Sequence, residues 1–327
     1  MKNRLRSTLV LIGLILLSGC SNDVSGTGTD AKPKKIILDY AYYSPVSLVL
    51  KDQGIAEKKF KGEDIGVEFV LSQGSNKALE FLSSKSVDFG SAAGAAALLA
   101  KEKGTPIQTV YISSKPEWTA LMAKKGTINS VADLKGKRIA ATVGTDPYIF
   151  LLRALKEAGL SSKDVEIVNL QHSDGALALQ SGDVDAWAGL DPHMAKVEME
   201  SDIQIFYRNP DFNSFSTLDV REEFAEKYPD YVEKVLEAYE EARQWTIAHP
   251  DETAEILAKE ASISLEVAKK ELERNDFSDP IPSDEQKAII IGSGEVLKEN
   301  GLLKSSTDVE KLTDKLFNSK FAEKILK

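Results

Sequence analysis

Residues 138–170 read RIAATVGTDPYIFLLRALKEAGLSSKDVEIVNL. Arg138 to Thr142 is a short apolar run bounded by polar residues, the pattern of a buried strand. After the turn Val143-Gly144-Thr145-Asp146, residues Pro147 to Ala158 carry apolar side chains at helical spacing and stop at Gly159. Val165 to Leu170 is a second strand. The same alternation continues with a helix over Gly175 to Ser181 and a strand over Ala186 to Leu190. Strand, helix and strand joined by short polar turns is the unit of an α/β sheet.

Upstream lies a second set of such units. Ile36 to Tyr40 reads as a strand, Val46 to Phe60 as a helix, Val67 to Leu71 as a strand and Asn76 to Ser83 as a helix. Val87 to Gly90 is a short strand, Ser91 a turn, and Ala92 to Lys103 a helix of strong formers stopped by Gly104. Gln108 to Ser113 and Thr119 to Ala123 are further strands, followed by the turn Lys124 to Asn129. Downstream, Ser214 to Val220 is strand-like, and from Arg221 the chain is helical and amphipathic. Val232, Val235, Leu236 and Tyr239 fall at three- and four-residue spacing, and Pro280-Ile281-Pro282 reads as a loop. The pattern predicts two α/β units and a helical C-terminal third.

Leu17-Ser18-Gly19-Cys20 closes an apolar run, Leu9 to Leu17, that follows Lys2, Arg4 and Arg6. A basic start, a short apolar run and small residues at the cut describe a secretory signal, and the run is far short of the ~20 residues a spanning helix needs. Residues 1–19 are read as the signal, and Cys20 resembles the lipidated first residue of a mature lipoprotein, extracytoplasmic and anchored to the cell membrane. Cys20 is the only cysteine, so no disulfide braces the mature domain. Cleavage removes Lys2, Arg4 and Arg6 and no acid, which takes 41 Lys+Arg to 38 against 51 Asp+Glu, a net charge of −13. That balance argues against nucleic acid and against general attraction to anionic headgroups, leaving the Cys20 lipid as the membrane contact. Residues 20–35 are polar and small, a flexible tether.

Clefts in open α/β sheets form where strands end, and helix N-termini there present unpaired N–H groups to anions. Three strand-to-helix turns qualify. Ser91-Ala92-Ala93-Gly94 holds no acid, so its backbone donors and the Ser91 hydroxyl suit an oxoanion; Ser91 is equally readable as an N-cap. Ser72-Gln73-Gly74-Ser75-Asn76 is also free of acids. Gly144-Thr145-Asp146 carries a carboxylate that either starts the next helix ahead of Pro147 or meets a positive or donating group of the ligand. An anion ~5 Å from that carboxylate would be repelled by roughly 3 kcal/mol at an effective dielectric near 20, so the anionic end is expected at Ser91 and Gln73, with Ala92 and Gly74 as further ligand-binding candidates in the same turns. Tyr42-Tyr43-Ser44, Trp118 and Trp187 supply an apolar wall with polar edges. Trp187 is equally readable as core and Trp118 as hinge packing. Asp191 ends the last strand of the second unit, where it orients the turn or caps the next helix.

The chain's three histidines, His172, His193 and His249, come with no G-x-S-x-G elbow, no P-loop and no H-E-x-x-H. A binder without cofactor or catalysis is expected. Metal capture by His172, Asp174, Asp191 and His193 is an alternative, without the support of a tight H-x-x-x-H spacing.

VDFGSAAG (Val87 to Gly94), VADLKGKR (Val131 to Arg138), LLRALKEAGL (Leu151 to Leu160) and GDVDAWAGLDP (Gly182 to Pro192) resemble the substrate-binding lipoproteins of bacterial ABC importers for aliphatic sulfonates, close to taurine and nitrate binders. The likeness runs from about Ile36 to about Pro250. VADLKGKR is shared by many binding proteins, whereas D-A-W-x-x-x-D-P is more specific. The resemblance implies a type II periplasmic-binding-protein fold, with residues 36–120 plus 217–327 as lobe one, 121–216 as lobe two, and a cleft between them. It implies a monomeric receptor for a small organic oxoanion, working with ABC permease and ATPase subunits. It also implies a ligand contact at Asp191, where the last strand of lobe two ends. Where sulfonate binders carry a Lys-Gly-Ser-Ser type turn, this chain has Val143-Gly144-Thr145-Asp146-Pro147. The same fold also serves a pyrimidine synthase group, so a binder or enzyme for a thiamine pyrimidine precursor is the alternative within the resemblance.

Overall fold

The computed structural model describes residues 32–327; the signal, Cys20 and most of the 20–35 tether lie outside the described residues. Strands β1 (Lys35–Tyr40), β2 (Gly66–Leu71), β3 (Phe89–Ala93) and β4 (Ile107–Pro116) come first. Strands β5 (Thr119–Lys124), β6 (Arg138–Ala140), β7 (Glu166–Val168), β8 (Ala186–Leu190) and β9 (Ile203–Tyr207) build a second sheet. Strands β10 (Ser216–Arg221) and β11 (Asn275–Asp276) return to the first. The orders are β2-β1-β3-β10-β4-β11 and β7-β6-β8-β5-β9. Each sheet is parallel among its early strands and antiparallel where the chain crosses: β10 runs against β3 and β4, and β5 against β8 and β9. The chain thus passes between sheets over Glu117-Trp118 and returns over residues 208–215.

The helices of the first half are α1 (Pro45–Asp52), α2 (Ile55–Lys59), α3 (Ser75–Ser83) and α4 (Gly94–Glu102). The single helix expected over Val46 to Phe60 is two, because Gly54 adopts φ +59, a left-handed turn that ends a helix. The second half carries α5 (Asp146–Glu157), α6 (His172–Ser181) and α7 (His193–Glu200). The C-terminal third supplies α8 (Glu222–Lys227), α9 (Pro229–Ala248), α10 (Pro250–Ala261), α11 (Leu265–Leu272), α12 (Asp284–Glu299), α13 (Val309–Leu316) and α14 (Lys320–Leu326). Val232, Val235, Leu236 and Tyr239 are buried together against the outer face of the first sheet, beside Leu38, Phe89 and Leu218. Such side chains contribute roughly 1.5–3 kcal/mol each, which is why this amphipathic third folds onto the sheet. Helix α12 packs on both α4 and α5, spanning the two halves. No described helix is long and apolar enough to cross a membrane.

Two expectations need correction. Strand β3 does not stop at Gly90; it runs to Ala93, because β10 pairs with it from Val220↔Phe89 to Ser216↔Ala93. Periodicity along the chain carries no sign of that distant partner. Trp187 does not face the space between the sheets. It lies on the outer face of β8 with Ala120, Met122, Ala140 and Leu179, and a Cβ on Gly175 of α6 would come within 2.7 Å of its Nε1.

Candidate functional site

A cavity of about 170 Å³ opens between the two sheets. Tyr42, Tyr43, Ser72 and Gln73 line it from the first half, where β1 and β2 end. Gln171, His172, Ser173, Leu190, Asp191, Pro192 and His193 line it from the second, where β7 and β8 turn into α6 and α7. This is the crevice beyond the carboxyl ends of strands in which α/β proteins place ligands. Helices α1, α3 and α6 start around it from Ser44, Gly74 and Gln171, and none of these residues caps its helix with a side-chain hydrogen bond. A larger cavity of about 470 Å³ sits on the C-terminal helices by Ile247, Leu272 and Phe277, with none of the unpaired polar atoms described next in its lining.

Polar atoms without a hydrogen-bond partner gather at the smaller cavity. Ser72 Oγ, Gln171 Oε1 and His172 Nε2 line it unpartnered, and Ser44 Oγ and Asn76 Oδ1 are buried and unpartnered beside it. Buried polar groups are ordinarily paired. Thr142 Oγ1 donates to Leu170 O at 2.6 Å, so its lone pair faces His172 Nδ1 at 3.2 Å. That arrangement places the ring proton on Nδ1 and leaves Nε2 as an acceptor. Burial pushes the His172 pKa down to about 3, with His193 a second cause, so the ring is neutral. Burial lowers His193 as well. Gly74 is there for close approach: a Cβ on it would lie 2.8 Å from Asn76 Oδ1 and 3.0 Å from His172 Nε2.

The candidates divide as follows. Tyr42, Tyr43, Gln73 and Asp191 line the cavity, with Ser44 and Gly74 adjoining it. Gly144 lines a neighbouring cavity of about 310 Å³ with Asn76, and the Thr145 hydroxyl is spent on Thr142 O at 2.6 Å. Ser91 and Ala92 are not a turn. They sit inside β3, and the N–H groups offered for an oxoanion are taken: Ser91 donates to Asp39 Oδ1 (2.7 Å), Ala93 to Ser75 Oγ (2.9 Å), Gly94 to Phe215 O (3.1 Å) and Ala95 to Ser214 Oγ (3.2 Å). Asp146 is neither the N-cap nor a free carboxylate. It opens α5 after Thr145, and it accepts from Trp118 Nε1 (2.8 Å), Ser214 N (2.8 Å) and Ser214 Oγ (2.6 Å). Burial raises its pKa and these donors oppose the rise. It ties α5 to both crossings, and Trp118 is packed edge-on to Tyr43 at 5.8 Å.

Sequence reasoning named His172 and His193 only as metal ligands and did not single out Gln171. Among the described residues no three His, Cys, Asp or Glu side chains are grouped to hold a metal, Asp174 is exposed, and Asp191 is bound to Arg274 at 3.0 and 3.1 Å. A usable signal was present: Gln171 and Pro192, the residues from which α6 and α7 start, are poor caps.

The sequence profile of the NMT1/THI5-like family matches residues 55–253, more than half of the chain. The chain belongs to the NMT1/THI5-like family. Among relatives, the taurine-binding periplasmic protein of Escherichia coli (strain K12) is 33% identical over 176 residues, 52% of this chain and 54% of that one. The crystal structure of the periplasmic aliphatic sulphonate binding protein SsuA from Escherichia coli is 25% identical, covers 86% of this chain and 92% of its own, and superposes with a TM-score of 0.75. The alkanesulfonate-binding protein SsuA from Xanthomonas axonopodis pv. citri, bound to MOPS, shares the fold at 22% identity and a TM-score of 0.78, over 86% of this chain and 98% of its own. The NMT1/THI5-like chain therefore has a periplasmic-binding-protein fold, and these relatives are binding proteins.

Proposed function

We propose that this chain is the solute-binding component of an ABC importer and captures a small organic oxoanion, an aliphatic sulfonate or an aminosulfonate such as taurine, without chemistry on it. The observation that carries the reading is the cavity between the sheets. It has uncapped helix starts for an anionic group and three unpaired acceptors, Gln171 Oε1, His172 Nε2 and Asn76 Oδ1, in or beside it for a donating group. A molecule with both ends, as an aminosulfonate has, answers both. At about 170 Å³ the space is below the range that holds drug-sized ligands. The relatives that bind sulfonates and taurine support the same class.

The reading extends to lobes, tether and partners. Residues 36–120 plus 217–327 would act as lobe one and 121–216 as lobe two, closing about Trp118 and Phe215 as ligand enters. A lipid on Cys20 would hold the monomeric protein at the membrane beside its permease, raising its effective concentration there. Calorimetry with taurine, ethanesulfonate, nitrate and an aminopyrimidine tests the ligand. Taurine should bind tightest and be recovered unchanged; a response to the aminopyrimidine alone, or turnover of any ligand, moves the chain to the thiamine-precursor reading. Cys20→Ser should release the protein from membranes at unchanged affinity.

A further inference from the structure

Asp191 is the one acidic side chain in the cavity lining, and its charge is answered from the other half of the molecule. Arg274, between α11 and β11, belongs to the part of the chain that pairs with β4 in the first sheet. Its Nη1 donates to Asp191 Oδ1 at 3.1 Å and Oδ2 at 3.0 Å, and its Nη2 pairs with Glu198 of α7. Both Arg274 and Asp191 are buried. Asp191 Oδ1 also accepts from Ala195 N at 2.8 Å, which points the carboxylate into α7. Glu271, buried beside the pair, has its pKa raised by burial and by Asp191, with Arg274 opposing the rise.

We infer that Arg274 sets the charge preference of the cavity: by neutralising Asp191 across the interface it lets the wall accept an anion. The inference rests on the anion-binding reading above. Burial raises the Asp191 pKa to about 6, and Arg274 is the main influence opposing the rise. At a pH where the carboxylate stays ionised without the guanidinium, its charge about 5 Å from a bound sulfonate would cost over a hundredfold in affinity at an effective dielectric near 20. A zwitterion would lose less, because its ammonium is attracted by the same charge. Arg274 is thus a specificity-determining residue that acts through the charge of Asp191 and does not itself touch the ligand.

The test is calorimetry of ethanesulfonate and taurine on the wild type, Arg274→Gln and Arg274→Gln/Asp191→Asn, with melting curves of all three. Arg274→Gln should weaken ethanesulfonate by about a hundredfold and taurine by at least tenfold less, and adding Asp191→Asn should restore ethanesulfonate to within about fivefold of the wild type. Equal losses for both ligands, or no restoration in a folded double variant, overturn the inference. Melting supplies a ligand-free check, since Asp191→Asn must raise the midpoint of Arg274→Gln if the pair is as described. A wild type that binds neither sulfonate overturns both the anion-binding reading and the charge role, and the melting cycle then distinguishes that result from a failed ion pair.

Discussion

Two places where the sheets meet both bury polar side chains, yet they differ in one respect. At the crossings, Asp146, Trp118 and Ser214 satisfy one another: three donors converge on one carboxylate, and Ser214 Oγ also takes the N–H of Ala95. At the cavity, Ser72, Gln171 and His172 each present a buried polar atom with no partner. A saturated network fixes geometry. An unsaturated one costs about 1–3 kcal/mol per buried group, which a ligand supplying the missing partners recovers. The difference teaches that in this fold burial and polarity alone do not separate polar groups that are already paired from those that await a partner; the unmet hydrogen bond does. Asp146 is more polar and no less buried than His172, and by this criterion it is structural.

Breaking the saturated side should have the larger effect. Asp146→Ala strands the Trp118 and Ser214 donors and unties α5 from both crossings. We expect a loss of about 3 kcal/mol in unfolding free energy, measured by urea titration, with Asp146→Asn costing less because an amide oxygen keeps part of the network. A loss under about 1 kcal/mol would mean the crossings are held by packing alone.

The unsaturated side should show itself through pH. The folded pKa of His172 is about 3 against 6.5 unfolded, so above pH 6.5 neither state carries the proton and the ring has no linkage effect. As the pH falls below 6.5 the unfolded chain takes up a proton that the folded chain refuses, and stability is lost down to about pH 3, by about 2 kcal/mol between pH 7 and pH 5. Asp39 and Asp219 act in the opposite direction. Burial raises both to about 7, so the folded chain gains protons as the pH falls below 7 and is stabilised. The raw profile mixes these signs, and the difference between wild type and ligand-free His172→Gln isolates the ring. That difference should shift by about 2 kcal/mol in favour of the variant from pH 7 to pH 5; a constant gap would place the ring in contact with solvent.

The comparison also explains what the sequence could disclose. Strands, helices and their order follow from periodicity because each is a local property, and the strand restarting at Arg138 after the turn Lys124 to Asn129 foretold the second sheet. Ser91 failed because its fate depends on β10, whose pairing with β3 is invisible to local pattern. Asp146 was read as a cap or a ligand contact because its three donors come from Trp118 and Ser214, distant in the chain. Tyr42, Tyr43 and Gln73 could be placed at the cavity lining because strand ends are legible. His172 was weighed only within a metal-capture alternative, because a lone histidine before a helix says nothing of whether its second nitrogen is paired.

Tyr43 lies on the border between the two regions and sharpens it with the smallest effect. Its ring lines the cavity and meets Trp118 edge-on, while its hydroxyl donates to Ser91 O at 2.9 Å. The hydroxyl therefore belongs with the saturated network although the ring faces the ligand space. Tyr43→Phe should cost about 1 kcal/mol of stability, the net worth of one buried hydrogen bond, and leave taurine affinity within about twofold, since the ring surface stays in place. Calorimetry and melting on the same preparation separate the two quantities. If affinity instead falls tenfold at unchanged stability, the hydroxyl leaves Ser91 for the ligand, and the border between fixed and waiting polar groups moves to include the first sheet's own strand end.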